Sequence, residues 1–183
     1  MKFKKLIVLS VVVSAGGCAN PINQVTADNY QQTCFAAEHN GNLLVAEEAC
    51  GRALTNVAWG NLGPAERSQK QYNLARIKRQ LAKFPEAEEL MKQSLAIEES
   101  LPSPSPLRIG RRLVELSASL AGQEKWKEGA PYLTRAYELT DHFSPREKKY
   151  TAEVLAAYSE EFQREGNTEA GLKFAAMASA IEE

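Results

Sequence analysis

The fold is decided by the stretch Ala87-Glu88-Glu89-Leu90-Met91-Lys92-Gln93-Ser94-Leu95-Ala96-Ile97-Glu98-Glu99, in which small and apolar residues recur at helical spacing. Its first residue, Ala87, belongs to a set of four small residues spaced 41, 42 and 42 positions apart. The other members of this set, which we call the marker residues, are Ala46, Gly129 and Gly171. A regular interval of this length is typical of stacked helical hairpins.

Two further positions in each interval also carry small residues. Small side chains at fixed points let neighbouring helices approach closely, while bulky residues at other fixed points, such as Met91 and Leu133, fill the remaining space. The pattern therefore predicts an all-α solenoid of about four hairpins in one repeat domain, residues 27–183. The additional small residues are Cys34, Ala75, Ser117 and Ser159 before the markers and Ala53, Ser94, Ala136 and Ala178 after them. The predicted units span about residues 27–60, 64–101, 106–141 and 145–183.

Proline, glycine and N-cap signals place eight helices along the chain. Gly63-Pro64 opens a helix, and Phe84-Pro85 separates two others. The proline-rich segment 101–106 is either a stiff connector or a polyproline ligand for another domain. Ser144 and Asn167 are predicted N-caps. The predicted helices span residues 27–39, 42–57, 64–82, 85–100, 106–122, 125–140, 145–165 and 167–182.

The second unit resembles the tetratricopeptide repeat (TPR) family. The opening stretch looks like the 42-residue variant found in kinesin light chains, and the third unit follows the same spacing with Gly129 in place of the usual alanine. The resemblance implies a right-handed superhelical solenoid with an interaction role rather than one particular chemistry. The residues on the family's signature spacing are Leu74-Ala75, Phe84, Ala87, Met91, Ser94-Leu95 and Ile97.

The same resemblance implies a concave groove lined by the first helix of each hairpin. Its middle is expected to be basic, with arginines that grip a carboxylate or an acidic peptide by bidentate hydrogen bonds. The alternative is that these arginines form an ordinary solvated helix face. The implied groove residues are Gln69, Tyr72, Arg76 and Arg79 in the second unit and Arg111 and Val114 in the third.

The first residues of the chain have the pattern of an export signal. Met1–Lys5 is positively charged, Leu6–Val13 is a short apolar run, and Ala15-Gly16-Gly17-Cys18 resembles the cleavage site of a bacterial lipoprotein. The resemblance implies a signal peptide over residues 1–17, lipid on Cys18 and a polar spacer to residue 26. The alternative is an ordinary secretory signal in which Cys18 is incidental.

A lipidated chain of this kind would be tethered to a membrane. Ala19 after the cysteine, rather than aspartate, favours the outer membrane over the inner one, with the domain facing the periplasm. Without Lys2, Lys4 and Lys5, 19 basic residues remain against 23 acidic ones, and no basic stripe with interleaved aromatics is present. Nucleic acid is therefore not an expected partner.

Two cysteines remain once Cys18 is assigned to the lipid. Cys34 and Cys50 are both predicted to point into the seam between the two helices of the first hairpin. The spacing of packed helices is compatible with a disulfide there, which would contribute about 3 kcal/mol in an oxidising compartment. The alternative is a pair of buried free thiols that act as small apolar side chains.

Signatures of an enzyme are weak in this sequence. His39 and His142 are its only histidines and lie two hairpins apart, so no metal-ligand spacing is formed and no cofactor motif accompanies them. We therefore expect no enzymatic activity, no metal and no cofactor.

The function predicted is a membrane-tethered adaptor or assembly factor that binds a protein or peptide of the bacterial cell envelope. The alternative is a structural subunit, such as a homo-oligomer, without an exchangeable ligand.

Overall fold

The structure, a computed structural model, describes residues 20–182. Within that range it contains eight α-helices, one short 3-10 helix and no β-strand. Consecutive helices pack in antiparallel pairs, and the four pairs stack in chain order, which confirms the predicted all-α solenoid. The helices are α1 (Pro21–His39), α2 (Leu43–Trp59), α3 (Pro64–Gln80), α4 (Phe84–Ser100), α5 (Pro106–Ala121), α6 (Trp126–Tyr137), α7 (Pro145–Arg164) and α8 (Thr168–Glu182), with the 3-10 helix at Thr140–His142.

The first helix of every hairpin begins with a proline. Proline suits this position because its fixed φ is already helical and its missing N–H would have had no partner in the first turn. Each new hairpin therefore starts at a defined residue. These prolines are Pro21, Pro64, Pro106 and Pro145.

Polar side chains cap several of the helices. Ser144 accepts a hydrogen bond from the backbone N–H of Glu147, whose own side chain accepts from the backbone of Ser144, so that the two form a capping box. Asn167 accepts from the backbone N–H of Ala170 at 3.2 Å. Both predicted N-caps are confirmed. Such a cap typically stabilises a helix by about 1 kcal/mol.

The first helix is longer than the sequence predicts. It begins at Pro21 rather than at residue 27, so residues 21–26 belong to the helix and not to a polar spacer. Two contacts explain the difference: the Asn20 side chain accepts from the backbone N–H of Ile22, and the Asn20 backbone N–H donates to the Gly60 carbonyl at 3.0 Å. The second contact spans the hairpin, and local sequence patterns do not reveal it.

The sixth helix is shorter than predicted, ending at Tyr137 instead of continuing to residue 140. A 3-10 turn follows and delivers Phe143 into the core, where its side chain is only 7% exposed. Phe143 fits there because Gly110 of α5 has no side chain: a Cβ on Gly110 would lie 2.5 Å from the ring. Helix α6 therefore ends before residue 140 because the chain must turn to pack Phe143 against Gly110.

The small residues pack at the seams of the hairpins as predicted. In the third hairpin, the Ser117 hydroxyl donates to the Gly129 carbonyl at 3.3 Å, and in the fourth the Ser159 hydroxyl donates to the Gly171 carbonyl at 2.8 Å. The same pair of positions thus forms the same hydrogen bond in successive hairpins. The marker residue of the second helix lies against the small residue of the first helix.

A buried arginine joins the second and third hairpins. Arg112 of α5 is fully buried; its guanidinium donates to the hydroxyls of Ser68 and Ser94 and lies 3.5 Å from the Glu98 carboxylate. Burial lowers the pKa of Arg112 to about 10, although Glu98 acts in the opposite direction. Glu98 also accepts from the Arg108 side chain at 2.9 Å, which fixes the start of α5 beside the connector 101–106.

Candidate functional site

The groove residues implied by the family resemblance lie on the neighbouring first helices α3 and α5. They are not equally accessible. Tyr72 and Val114 are 8% and 2% exposed and belong to the hydrophobic core, so they pack below the groove and are not accessible within it. Gln69 is half-buried and donates to Asn73 on its own helix. The accessible charged groups are therefore the three arginines.

Each of these arginines is paired with a glutamate on the first helix of an adjacent hairpin. Arg76 of α3 pairs with Glu38 of α1, and Arg111 of α5 pairs with Glu147 of α7. Arg79 of α3 pairs with Glu115 of α5, with Nε and Oε2 2.5 Å apart. The ladder of ion pairs links all four hairpins along one face and gives the middle of that face a balanced charge instead of the basic charge that the sequence suggests.

Aromatic rings complete the surroundings of the arginines. The Arg76 guanidinium lies 5.8 Å from the ring centre of Tyr72, and the Arg79 guanidinium lies 5.4 Å from that of Tyr150. Burial raises the pKa of Tyr72 to about 12 and also raises the pKa of Tyr150. Both phenols are therefore protonated at neutral pH and available as hydrogen-bond donors.

An open depression of about 240 Å³ lies between α3, α5 and α7. Its wall includes Arg79 and Tyr150, and the Tyr150 hydroxyl, although buried, has no hydrogen-bond partner among the residues that the structure describes. A buried hydroxyl without a partner is unfavourable, and this cost would be relieved if the Tyr150 side chain turned its hydroxyl toward an acceptor bound in the depression. The lining residues are Arg79, Ala118, Ala121, Tyr150, Glu153, Val154, Ala157 and Tyr158.

A second and larger depression, of about 550 Å³, separates α6 from α8 on the side of the second helices. Its apolar wall contains Pro131, Phe162 and Phe174, and the rings of Phe162 and Phe174 stack with centroids 5.6 Å apart. Pro131 lies inside α6, where it cannot donate the usual helical hydrogen bond. Leu172, on the neighbouring α8, is 61% exposed.

The predicted disulfide is present: Cys34 of α1 and Cys50 of α2 are bonded, with their Cα atoms 5.3 Å apart. The pair lies in the core of the first hairpin, where each residue is 1% exposed. The amide of Gln31, also buried, approaches the Cys50 sulfur at 3.8 Å and accepts from Asn73 of α3 at 2.8 Å. The disulfide is thus tied to the second hairpin as well.

The predicted signal peptide, residues 1–17, and the lipidation residue Cys18 lie outside the described residues. Between residues 20 and 182, none of the helices combines the length and the hydrophobicity needed to cross a membrane. No three His, Cys, Asp or Glu side chains within this range are grouped as a metal site would require.

Sequence reasoning missed Glu115, Glu147 and Tyr150, which complete the concave surface. The available signal was the separation of 36 to 38 residues between opposite charges, slightly shorter than the repeat interval. Each ion pair therefore joins the first helices of two successive hairpins, at positions that lie three to six residues short of equivalent repeat positions.

Comparison with known proteins supports the fold. No family model and no curated protein matches the sequence. Among solved structures, BtubC (BKLC) from P. vanneervenii superposes with a TM-score of 0.72 at 16% identity, over 87% of this chain and 64% of BtubC. A putative kinesin light chain with nearly identical TPR-like repeats, from Podosopora anserina, superposes with a TM-score of 0.63 at 20% identity, over 85% of this chain and 74% of the kinesin light chain. A point variant of the same protein superposes with a TM-score of 0.64.

The matched structures share the stacked-hairpin architecture with this chain, which spans about two thirds of the length of BtubC. Similarity at this level of identity concerns the backbone arrangement alone. Residues 20–182 therefore form a TPR-like repeat solenoid.

Proposed function

We propose that this protein is a membrane-tethered adaptor or assembly factor of the bacterial cell envelope, which binds a protein or peptide partner along its concave surface. At the coarser level, the TPR-like fold supports a protein-interaction or structural repeat protein. The tether, the compartment and the exchangeable partner are the parts that we propose.

The depression beside Tyr150 is the observation that carries the binding proposal. It combines apolar walls, such as Val154 and Ala157, with a phenol that lacks a hydrogen-bond acceptor among the described residues. A partner segment with an apolar side chain next to a backbone carbonyl would satisfy both features. Arg79 at the edge is paired through Nε with the buried Glu115 carboxylate, and its remaining guanidinium N–H groups can donate to a carbonyl of the partner.

The tether rests on the sequence before residue 20. A basic start, an apolar run and small residues before Cys18 favour cleavage and lipidation at that cysteine, and Ala19 favours the outer membrane, with the domain facing the periplasm. The disulfide between Cys34 and Cys50 is consistent with an exported protein, because disulfides persist mainly in oxidising compartments.

Photocrosslinking in intact cells tests the binding proposal. A photoreactive residue at Ala118 or Ala157, which line the depression, should capture one and the same partner, whereas the same residue at exposed Glu89 on α4 should not. With the photoreactive residue at Ala118, Ala157→Arg at an exposed helical position should fill the depression, keep the fold and reduce capture severalfold. Equal capture from Ala118 and Glu89, or none from either alanine, would contradict a concave binding site.

The structural-subunit alternative is favoured by one feature, the exposed Leu172 on α8, the last helix of the stack. If this end packs against another copy of the chain, a photoreactive residue at Leu172 will produce crosslinked dimers. Leu172→Lys would then abolish oligomers of the purified protein. A monomer at micromolar concentration would argue against this alternative.

A further inference from the structure

We infer that the end of the first hairpin nearest the N-terminus is a membrane-contacting surface, in which Ile22, Val25 and Trp59 rest on the lipid bilayer. This inference builds on the proposed lipid tether at Cys18, and it assigns an orientation to the tethered domain: the solenoid stands on one end of its first hairpin.

The three side chains are large, apolar and exposed to solvent. Ile22 is 74%, Val25 60% and Trp59 77% exposed. Ile22 and Val25 lie one turn apart near the start of α1, while Trp59 is the last residue of α2. The hydrogen bond from the Asn20 backbone N–H to the Gly60 carbonyl holds these two helix ends together. All three residues therefore lie at the same end of the hairpin.

The part of this end that is nearest the first hairpin is also free of charge. Residues 20–27 and 53–65 contain no Asp, Glu, Lys, Arg or His, and neither does the connector region 100–107 at the same end of the second and third hairpins. The last connector at this end, residues 138–149, is charged, so the uncharged surface is centred on the first hairpin. The turns at the opposite end include residues 38–42, 78–83 and 123–125, and each of these contains charged side chains. Bringing the uncharged end to a bilayer avoids the cost of desolvating charges.

The position of Cys18 brings this end to the membrane. Cys18 precedes Asn20 by two residues, and a fully extended chain of that length spans at most about 7 Å. Interfacial segments bury their apolar face about 5–10 Å into the boundary between headgroups and acyl chains. An acylated Cys18 therefore leaves Ile22 and Trp59 within reach of that boundary, where tryptophan is favoured.

Tryptophan fluorescence tests the inference directly, because the chain has two tryptophans at opposite ends of their hairpins. Trp59 ends a second helix, whereas Trp126 begins one and packs against Tyr158 with ring centroids 5.0 Å apart. The lipidated full-length protein, with Trp126→Phe, is reconstituted into phosphatidylethanolamine and phosphatidylglycerol vesicles that carry brominated acyl chains. Trp59→Phe, which retains Trp126, is the matched control.

We expect bromine to quench Trp59 at least twofold more than Trp126. If Trp126→Phe does not fold, the parent protein is compared with Trp59→Phe instead. Bromine should quench part of the fluorescence of the parent protein, and this quenched part should be missing in Trp59→Phe. Ile22→Glu with Val25→Glu, which anionic lipid repels, should reduce the quenching of Trp59 severalfold while the acylated protein still floats with the vesicles.

Three results would overturn the inference. Vesicle-bound, acylated protein with unquenched Trp59 would reject the contact and leave the tether intact. A mature N-terminal peptide without acyl chains, shown by mass spectrometry, would remove both the tether and this inference. A concentration-dependent blue shift of Trp59 without lipid, which Ile22→Lys abolishes, would assign the surface to a second copy of the chain.

Discussion

The Tyr158 hydroxyl of α7 lies where the Cβ of an alanine at position 129 would be: that Cβ would be only 1.7 Å from the phenol oxygen. Tyr158 is fully buried and donates from that oxygen to the Ser117 carbonyl at 2.9 Å. Gly129 is a marker residue, and it stands where the resembling family usually has alanine. The departure makes room for the tyrosine of the next hairpin.

Gly129→Ala should therefore destabilise the protein, although alanine is the better helix former. We expect a loss of about 1–3 kcal/mol in the free energy of unfolding, as is typical of overpacking. In the Tyr158→Phe background the same change should cost less, because the closest atom is gone. Gly51→Ala is the matched control: no atom outside its own helix segment lies within 4 Å, so it should stabilise α2 by about 0.5–1 kcal/mol. Urea unfolding measures both, and a neutral Gly129→Ala would contradict this explanation.

Much of this packing could be predicted from the sequence, because the solenoid repeats its contacts at a regular interval. The small residues, the Ser144 and Asn167 caps and the pairing of Cys34 with Cys50 depend on positions within one repeat. The ion pair between Arg76 and Glu38 was missed, because its separation of 38 residues reflects the offset between successive hairpins and not the repeat interval itself.

The ends of helices were predicted less well. The start of α1 has a local signal that the prediction passed over, the Asn20 cap before Pro21, and the bond from Asn20 to Gly60 adds a contact that local sequence does not reveal. The end of α6 is set by the fit of Phe143 against Gly110, residues that are far apart in the sequence. Local propensities carry no information about such distant partners.

Reduction of the disulfide should weaken the first hairpin. The Cys34–Cys50 bond joins residues separated by 16 positions, and a loop of this size is expected to contribute about 3 kcal/mol. Urea unfolding with and without reductant should show this difference, and Cys34→Ala with Cys50→Ala should match the reduced protein. Two alkylatable thiols at these positions in the oxidised, unfolded protein would show that the bond does not form.

Arg112 and Arg108 both contact Glu98, but they should differ greatly in their contribution to stability. Arg112→Met leaves two serine hydroxyls and the buried carboxylate short of partners, so we expect a loss of about 3 kcal/mol or more. Arg108→Met removes a side chain that is 41% exposed and leaves Arg112 in place, so the loss should be about 1 kcal/mol or less. Equal losses in urea unfolding would argue against the buried network.

Acid should destabilise the junction between the second and third hairpins through Glu88. Burial acts to raise the pKa of Glu88, but hydrogen bonds from Lys92, Lys125 and Gln123 outweigh it and lower the pKa to about 2. Because the folded pKa is below the unfolded value, this contribution is complete above about pH 4.5 and is lost as the pH falls towards 2.

Glu88→Gln should accordingly lower the free energy of unfolding at pH 7 by on the order of 2 kcal/mol. The variant should also lose less stability than the parent protein when the pH falls from about 4.5 to 2. Exposed Glu89 on the same helix, which accepts only from Gln93 among the described side chains, supplies the control variant Glu89→Gln. Thermal unfolding across this pH range measures both. Parallel pH profiles for Glu88→Gln and the parent protein would refute this role.

Small side chains at the marker positions allow the hairpins to nest, and the rest of the solenoid depends on this packing. The most direct measurement is the free energy of unfolding for Ala46→Leu and Ala87→Leu, both at fully buried positions, beside Ala156→Leu and Ala176→Leu at exposed helical positions. We predict losses of at least about 1–3 kcal/mol for the marker variants and changes within about 0.5 kcal/mol for the exposed ones. Marker variants as stable as the exposed variants would contradict the nesting of the hairpins.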